Sequence, residues 1–251
     1  MTENQLRLND EQNFFCSSKP AAISLPGSIT LGGHNIPFSD SARNLWFIHD
    51  SELSMKKHGR QVCQTAYFEL KRVSSIRRFL TKDGTKTLVT SYLLSWLDYL
   101  SCLLMCEPNS VIQPLQHVQN FAARLILMAP RHHHSTPLVK KLHWLPISER
   151  IKYRVACMCF HVINGSCHTY LSELLHIYTP SSSDSCMRCS SDSCMLRIPQ
   201  YKHKTHGFRT FAYFGPYVWN SLPQGIRQCS TLPSFKMKLK TFLFSQYFRS
   251  S

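Results

Sequence analysis

At 251 residues the chain can fill one large domain or two smaller ones, and 43% hydrophobic content suffices for a core, which excludes a wholly disordered tail. The 29 Lys and Arg outnumber the 14 Asp and Glu, and the resulting +15 favours nucleic acid or another anionic surface as partner while saying nothing about fold. MTENQLRLNDEQNFF lacks the basic cap, apolar run and cleavage site of a secretory signal, so an intracellular, non-secreted location is expected.

In that reducing setting the eleven Cys, an odd number, read as small buried hydrophobes and not as a disulfide framework. The most apolar stretch centres on Trp96 to Met105, but Asp98 interrupts it and polar residues flank it, so no membrane span is expected.

Ser28 to Asp50 holds a Gly-Gly turn between two short runs, Ile29 to Leu31 and Leu45 to Ile48, which are expected to pair as strands. From Met55 to Phe79, Val62, Ala66, Leu70, Val73 and Ile76 recur at steps of three and four, the spacing of an amphipathic helix. Its other face carries Arg60, Lys71, Arg72, Arg77 and Arg78. A second helix is expected to be capped by Asp83 and to run through Leu88, Tyr92 and Trp96. A third, Ser110 to Met128, has Ile112, Leu115, Val118, Ala122, Leu125 and Ile126 as its stripe and Pro130 as its stop.

LHWLPISERIKYR follows, Leu142 to Arg154, with Pro146 suited to a first helical turn and Glu149 to the positive helix end. Ile151, Val155, Met158 and Val162 form the expected buried face, and Asn164-Gly165 the stop. Thr179 to Ser193 is Ser-rich and aperiodic, a connector at which a domain seam is expected. The last amphipathic segment, Ser234 to Phe248, is built on Phe235, Leu239, Phe242 and Leu243 and exposes Lys236, Lys238 and Lys240.

Two-metal polymerases and nucleases need carboxylates converging on ions about 4 Å apart. This chain has no Asp-Asp, Asp-x-Asp or Asp-x-x-Asp, and no P-loop, Gly-x-Ser-x-Gly or His-Glu-x-x-His. Cys186, Cys189 and Cys194 begin like a zinc knuckle, but the fourth ligand would fall at Pro199; chance spacing in a Ser-rich stretch is the better reading. His132 to His134 form a short loop better suited to solvent or phosphates than to a metal. Basic residues interleaved with aromatics are what remains, most densely from Tyr201 to Arg209: cations bind phosphates through counterion release, and aromatic rings stack unpaired bases.

Several segments resemble, in order, the reverse transcriptases of non-LTR retrotransposons, the long interspersed elements. They are LQHVQNFAARLI, TPLVKKLHWLPISERIKYR, YLSELLHIYTP, WNSLP and SFKMKLKTFLF, with NQLRLN and SDSARNLWFIHDSELSM upstream. The resemblance implies an α+β, mainly α-helical fold: a residual palm segment with a short β-hairpin at 1–50, a helical thumb-like domain at 51–178, the Ser-rich linker at 179–194, and a basic, aromatic C-terminal region at 195–251 ending in a helix. The family's metal-binding aspartates precede NQLRLN, so this chain is expected to lack catalytic activity, to hold no cofactor (Mg serves the intact family), and to be a truncated remnant. Two departures agree: Gln12, Asn13 and Phe14 stand where the family has Lys-Thr-Glu, and Trp46 where it has Gly.

The implied partner is an RNA or DNA primer-template held without sequence preference, with no membrane and no small-molecule substrate, and by resemblance a nuclear location. The expected contacts are Lys71, Arg72, Arg77, Arg78, Arg124, Arg150, Lys152, Arg154, Lys202, Lys204 and Arg209. Competing readings are a fragment of an active polymerase cut by a gene-model boundary, an interaction protein whose basic helices bind another protein, and a fossil without function.

Overall fold

A computed structural model describes residues 15–16, 28–31, 34–44, 46–51, 54–99, 101–178, 194–201 and 207–249. The fold is α+β and mainly helical, and it divides into two compact units, Met1–Gln61 and Val62–Ser251.

The first unit carries the strands. β1 (Phe15–Cys16) runs parallel to β3 (His34–Ser39), and β3 runs antiparallel to β2 (Ser28–Leu31), with Leu31 opposite His34. β4 (Ser41–Asn44) and β5 (Phe47–Asp50) form a separate hairpin, with Asn44 opposite Phe47. Ile29–Leu31 therefore pairs across the Gly-Gly step with the segment that follows it, and not with Leu45 to Ile48 as expected. A two-residue connection closes a hairpin at less entropic cost than a long loop, so each run pairs with its nearest neighbour. The β4–β5 connection includes Trp46, left-handed at φ 69° and 63% exposed, with the Arg43 guanidinium 4.2 Å from its ring centre. Phe47 is buried against His58, their rings 4.3 Å apart. Asp50 accepts from the Ser54 backbone N–H and hydroxyl, both at 2.6 Å, tying the chain down ahead of the first helix.

That helix, α1 (Lys56–Ile76), follows the predicted period and ends in a 3₁₀ turn, Arg77–Phe79. Cys63, Ala66 and Leu70 are buried, whereas Ile76 is exposed. α2 (Lys82–Val89) is capped by Thr81, whose hydroxyl accepts from the Gly84 N–H at 3.1 Å; Asp83, expected to cap, sits in the first turn, where its charge still opposes the positive helix end. A π turn, Thr90–Leu94, joins α2 to α3 (Ser95–Asp98). The buried positions there are Thr85, Val89, Leu93, Leu94 and Leu97, so the stripe lies one residue from the expected Leu88, Tyr92 and Trp96. Tyr92, at 55% exposure, points to water.

α4 (Asn109–Leu127) buries Val111, Leu115, Val118, Gln119, Ala122, Ala123 and Ile126. It stops two residues before Pro130, at a left-handed Met128 (φ 52°), and the Ala129 N–H donates to the Arg124 carbonyl at 3.0 Å. α5 (Ser135–Lys141) ends in the same way: His143 is left-handed (φ 55°), its N–H donates to Lys140 and that of Trp144 to Val139.

These bonds explain the Trp-Leu-Pro turn. Leu142, Trp144 and Leu145 are all buried, and two amides of α4 hold the peptide between them. Gln119 donates to the Leu145 carbonyl at 2.9 Å, and the Gln116 carbonyl oxygen accepts from the Ile147 N–H at 2.9 Å. A glutamine buried at 0% exposure loses its hydration, and these bonds replace it. α6 (Ile147–Ile163) begins on that support and ends at Asn164 and Gly165, the latter at φ 65°. Its buried face includes Ile151, Val155, Cys159 and Val162; Met158 is half-buried, because Cys159 takes the interior place. Glu149 lies in the first turn, at the positive helix end as expected, where it is 7% exposed and accepts from the Lys152 ammonium at 2.8 Å.

After α7 (Thr169–Ser172), the seam expected at 179–194 falls almost wholly outside the described residues. The segments on either side share one core. α8 (Phe211–Asn220), α9 (Gln224–Arg227) and α10 (Leu232–Arg249) close over α6: Phe235 stacks on Phe160 at 4.6 Å and on Trp219 at 5.7 Å, and all three rings are buried. The Trp219 indole N–H donates to the Cys194 carbonyl at 2.8 Å, and Asn220 holds both backbone groups of Leu196. Within the second unit, α6 and the segments from 194 onward, expected to fall in separate regions, meet in one hydrophobic interior, and the boundary between compact units lies inside α1.

Candidate nucleic-acid interface

The C-terminal half of α1 and the C-terminal half of α4 flank a groove of about 980 Å³ in the second unit. Arg77, Arg78, Arg124, Arg131 and His117 line it, with Tyr67 and Phe121 on one wall, and no Asp or Glu contributes. The two rings lie 5.9 Å apart, and burial pushes the Tyr67 phenol above its ordinary pKa, with Cys63 adding to the shift, so that it stays a neutral donor.

These cations do different work. Arg77 is turned into the protein, where its guanidinium donates to the carbonyls of Leu80 (2.8 Å), Leu125 (3.1 Å) and Ile126 (3.1 Å). Two of those are carbonyls of the last turn of α4, which no further helical N–H reaches, so Arg77 caps that helix and complements its negative end. Arg124 donates to the His133 carbonyl at 3.2 Å and anchors the 130–134 loop. Arg78 lies over the exposed Phe79 ring at 4.7 Å, and Arg131 is exposed on the loop. Among the described residues neither has an ion-pair partner. The groove therefore presents two free guanidiniums in front of two structural ones.

Of the other expected contacts, Lys71 is exposed on α1 away from the groove, and Arg72 pairs with Glu69 at 3.2 Å. Arg150 and Arg154 both pair with Asp98, at 2.5 and 2.9 Å, and hydrogen bonding to that carboxylate raises the Arg154 pKa above its already high ordinary value. Lys152 is held by Glu149 at 2.8 Å. Arg209 pairs with Glu107 at 3.1 Å, a carboxylate of 0% side-chain exposure, and so ties the start of α8 to the segment ahead of α4. Lys202 and Lys204 lie outside the described residues. The structure thus brings together Arg77, Arg78 and Arg124 and places α6's cations elsewhere. Arg131 and His117 were not expected. The signal for Arg131 was its position directly after Pro130, beside the histidine loop already assigned to solvent or phosphates.

No protein-family model, no curated protein and no solved structure matches the chain.

The zinc reading gains nothing from the placed residues: Cys186 and Cys189 lie outside them, and Cys194 is an exposed free thiol. Among the described residues no three His, Cys, Asp or Glu side chains cluster as metal ligands. Cys63, Cys157 and Cys159 are buried free thiols, and burial pushes the Cys63 thiol up to about 11, as suits an inert packing residue. Cys106 and Cys194, by contrast, are exposed. No helix among the described residues is long and apolar enough to cross a membrane.

Proposed function

We propose that the chain is a reverse-transcriptase-like protein of the non-LTR retrotransposon kind that holds nucleic acid in the α1–α4 groove. Binding would run through phosphates and would not depend on sequence. The observation that carries this reading is the convergence of Arg77, Arg78, Arg124, Arg131 and His117 on one open groove that no acid lines. Cations facing a common space from which acids are excluded repel one another, and a polyanion relieves that repulsion. The ordered motifs from LQHVQNFAARLI to SFKMKLKTFLF, shared with the family's thumb and C-terminal region, support it further.

The test is fluorescence anisotropy of a labelled RNA–DNA primer-template against the purified chain at several salt concentrations, with circular dichroism confirming the helical fold. Affinity should fall steeply with salt, since each neutralised phosphate contributes a slope of about −0.7 to −0.9 on a log–log plot. A folded protein that ignores the duplex even at low salt would overturn the proposal and leave the protein-partner reading.

A further inference from the structure

A second basic cleft lies away from the groove. It has a volume of about 620 Å³ and is walled by α2 with its π turn, by α3, by the Leu142–Leu145 turn, by α6 and by one face of α10. Lys86, His143, Arg150, Arg154 and Lys240 line it, and Asp98 is the only carboxylate that does.

Asp98 is already committed. Arg150 takes both of its oxygens, through Nε at 2.8 Å and Nη2 at 2.5 Å, and Arg154 adds a bond to Oδ2 at 2.9 Å. One carboxylate between two guanidiniums leaves a surplus positive charge, rigidly placed because all three side chains are fixed by each other. Lys86 and Lys240 come to the same cleft from helices far apart in sequence. Among the described residues neither has an acidic partner.

The turn is strained as well. His143 occupies the left-handed position that closes α5, where glycine sits without steric cost, and its ring faces Phe244 at 5.6 Å. A π turn inside a helix and a non-glycine residue at positive φ both recur at ligand sites, because each misaligns the regular backbone to aim a side chain. Here both border one cleft.

We propose that this cleft binds a phosphate group carried on a small ligand or on a strand end: a free nucleotide or pyrophosphate, or the 5′-phosphate of an oligonucleotide. The Arg150–Asp98–Arg154 triad supplies a fixed floor with spare guanidinium donors, while Lys86 and Lys240 close on the phosphate from either side. Planar forked donors recognise phosphate oxygens by geometry, and ammoniums add charge without a preferred direction. Trp144 and Tyr153 give the wall an apolar and a phenolic surface, and burial, with Cys157 adding to it, pushes the Tyr153 phenol up to about 12, so that it stays neutral while its hydroxyl is engaged with Cys157. The site goes beyond the groove proposed above and does not depend on it.

The test is calorimetric titration of the full chain with pyrophosphate, with ATP, and with a single-stranded oligonucleotide carrying or lacking a 5′-phosphate. Lys86→Gln/Lys240→Gln is the site variant; both residues are exposed and have no ion pair among the described residues, so the fold should persist, as circular dichroism would verify. Pyrophosphate should bind the wild-type chain, and the double variant should weaken it at least tenfold while leaving duplex binding in the groove unchanged. Arg78→Gln/Arg131→Gln should do the reverse. Binding of ATP would assign the ligand as a free nucleotide; preference for the phosphorylated oligonucleotide over its unphosphorylated twin, without ATP binding, would assign a strand end. No pyrophosphate binding by the wild type, or equal binding by the double variant, would overturn the proposal whatever the groove does.

Discussion

Arg77→Gln and Arg78→Gln are adjacent, chemically identical perturbations with opposite expected outcomes. Arg77 makes three hydrogen bonds to carbonyls, two of them at the end of α4. A charged donor contributes about 1.5–3 kcal/mol per bond when buried, and Arg77 is half-buried, so roughly 1 kcal/mol each is the defensible value. Glutamine is too short to reach all three, and its loss leaves two helix-terminal carbonyls to water or to nothing. The sum is about 2–3 kcal/mol, which for a domain of about 150–250 residues lowers the Tm by roughly 4–12 °C. Arg78 lies over an exposed Phe79 ring, a contact of about 0.5 kcal/mol, and its removal should move the Tm by only about 1–2 °C. Thermal melts by circular dichroism read the first effect, and anisotropy with the primer-template the second. If Arg77→Gln melts with the wild type, the carbonyl-capping role is wrong, and Arg77 belongs with the solvent-facing cations of the groove.

Three further outcomes follow from the same geometry. Arg78→Gln/Arg131→Gln should flatten the salt dependence of primer-template affinity by about 1.4–1.8 on a log–log plot, two phosphates' worth, and an unchanged slope would remove both from the interface. Trp46→Gly should slow hydrogen exchange of the β4–β5 amides about fivefold relative to Trp46→Ala, because a left-handed φ of 69° costs alanine about 1 kcal/mol and glycine almost nothing; equal exchange would mean no strain is stored there. Burial, and secondarily the nearby His49, hold the His58 pKa below its ordinary value, so the unfolded chain binds that proton first: stability is complete above about pH 6.5 and declines as pH falls toward the folded pKa. Protection of the Ser41–Asp50 amides should therefore drop between pH 7.5 and 5.5 in the wild type and less in His58→Leu, whereas an equal drop would acquit His58.

Helices were legible in the sequence because their period is local: Cys63, Ala66 and Leu70 need only their own spacing to show a buried face, and α6 begins and ends where Pro146 and Asn164-Gly165 place it. What failed was the choice between local alternatives that the same pattern allows. The stripe of α2 and α3 lies one residue from the expected one from its first turn, at Thr85 and Val89, because Leu88, Tyr92 and Trp96 fit the same helical period and the period alone does not say which row faces the core. Pairing of Ile29 to Leu31 went to the nearer strand, a matter of loop length on which hydrophobic runs are silent.

The cations show the same limit more sharply, and there it bears on function. A net charge of +15 guarantees unpaired positive groups somewhere but does not say which. Arg150 and Arg154 find Asp98 across 52 and 56 residues, and Arg209 finds Glu107 from the far end of the chain. Each pairing removes a cation from the interface that a linear reading would assign to it. Because the acids are few and spread singly, they neutralise where the fold carries them: no acid lines the groove, and in the cleft one carboxylate, Asp98, faces two guanidiniums and two ammoniums. Lys71, Arg78, Arg131, Lys86 and Lys240 share no sequence motif, and what unites them is the absence of a carboxylate partner among the described residues. The distribution of unpaired cations on a chain of this composition is therefore a property of its tertiary charge pairing, and single substitutions at the acids, Asp98 above all, should redistribute it as effectively as substitutions at the cations themselves.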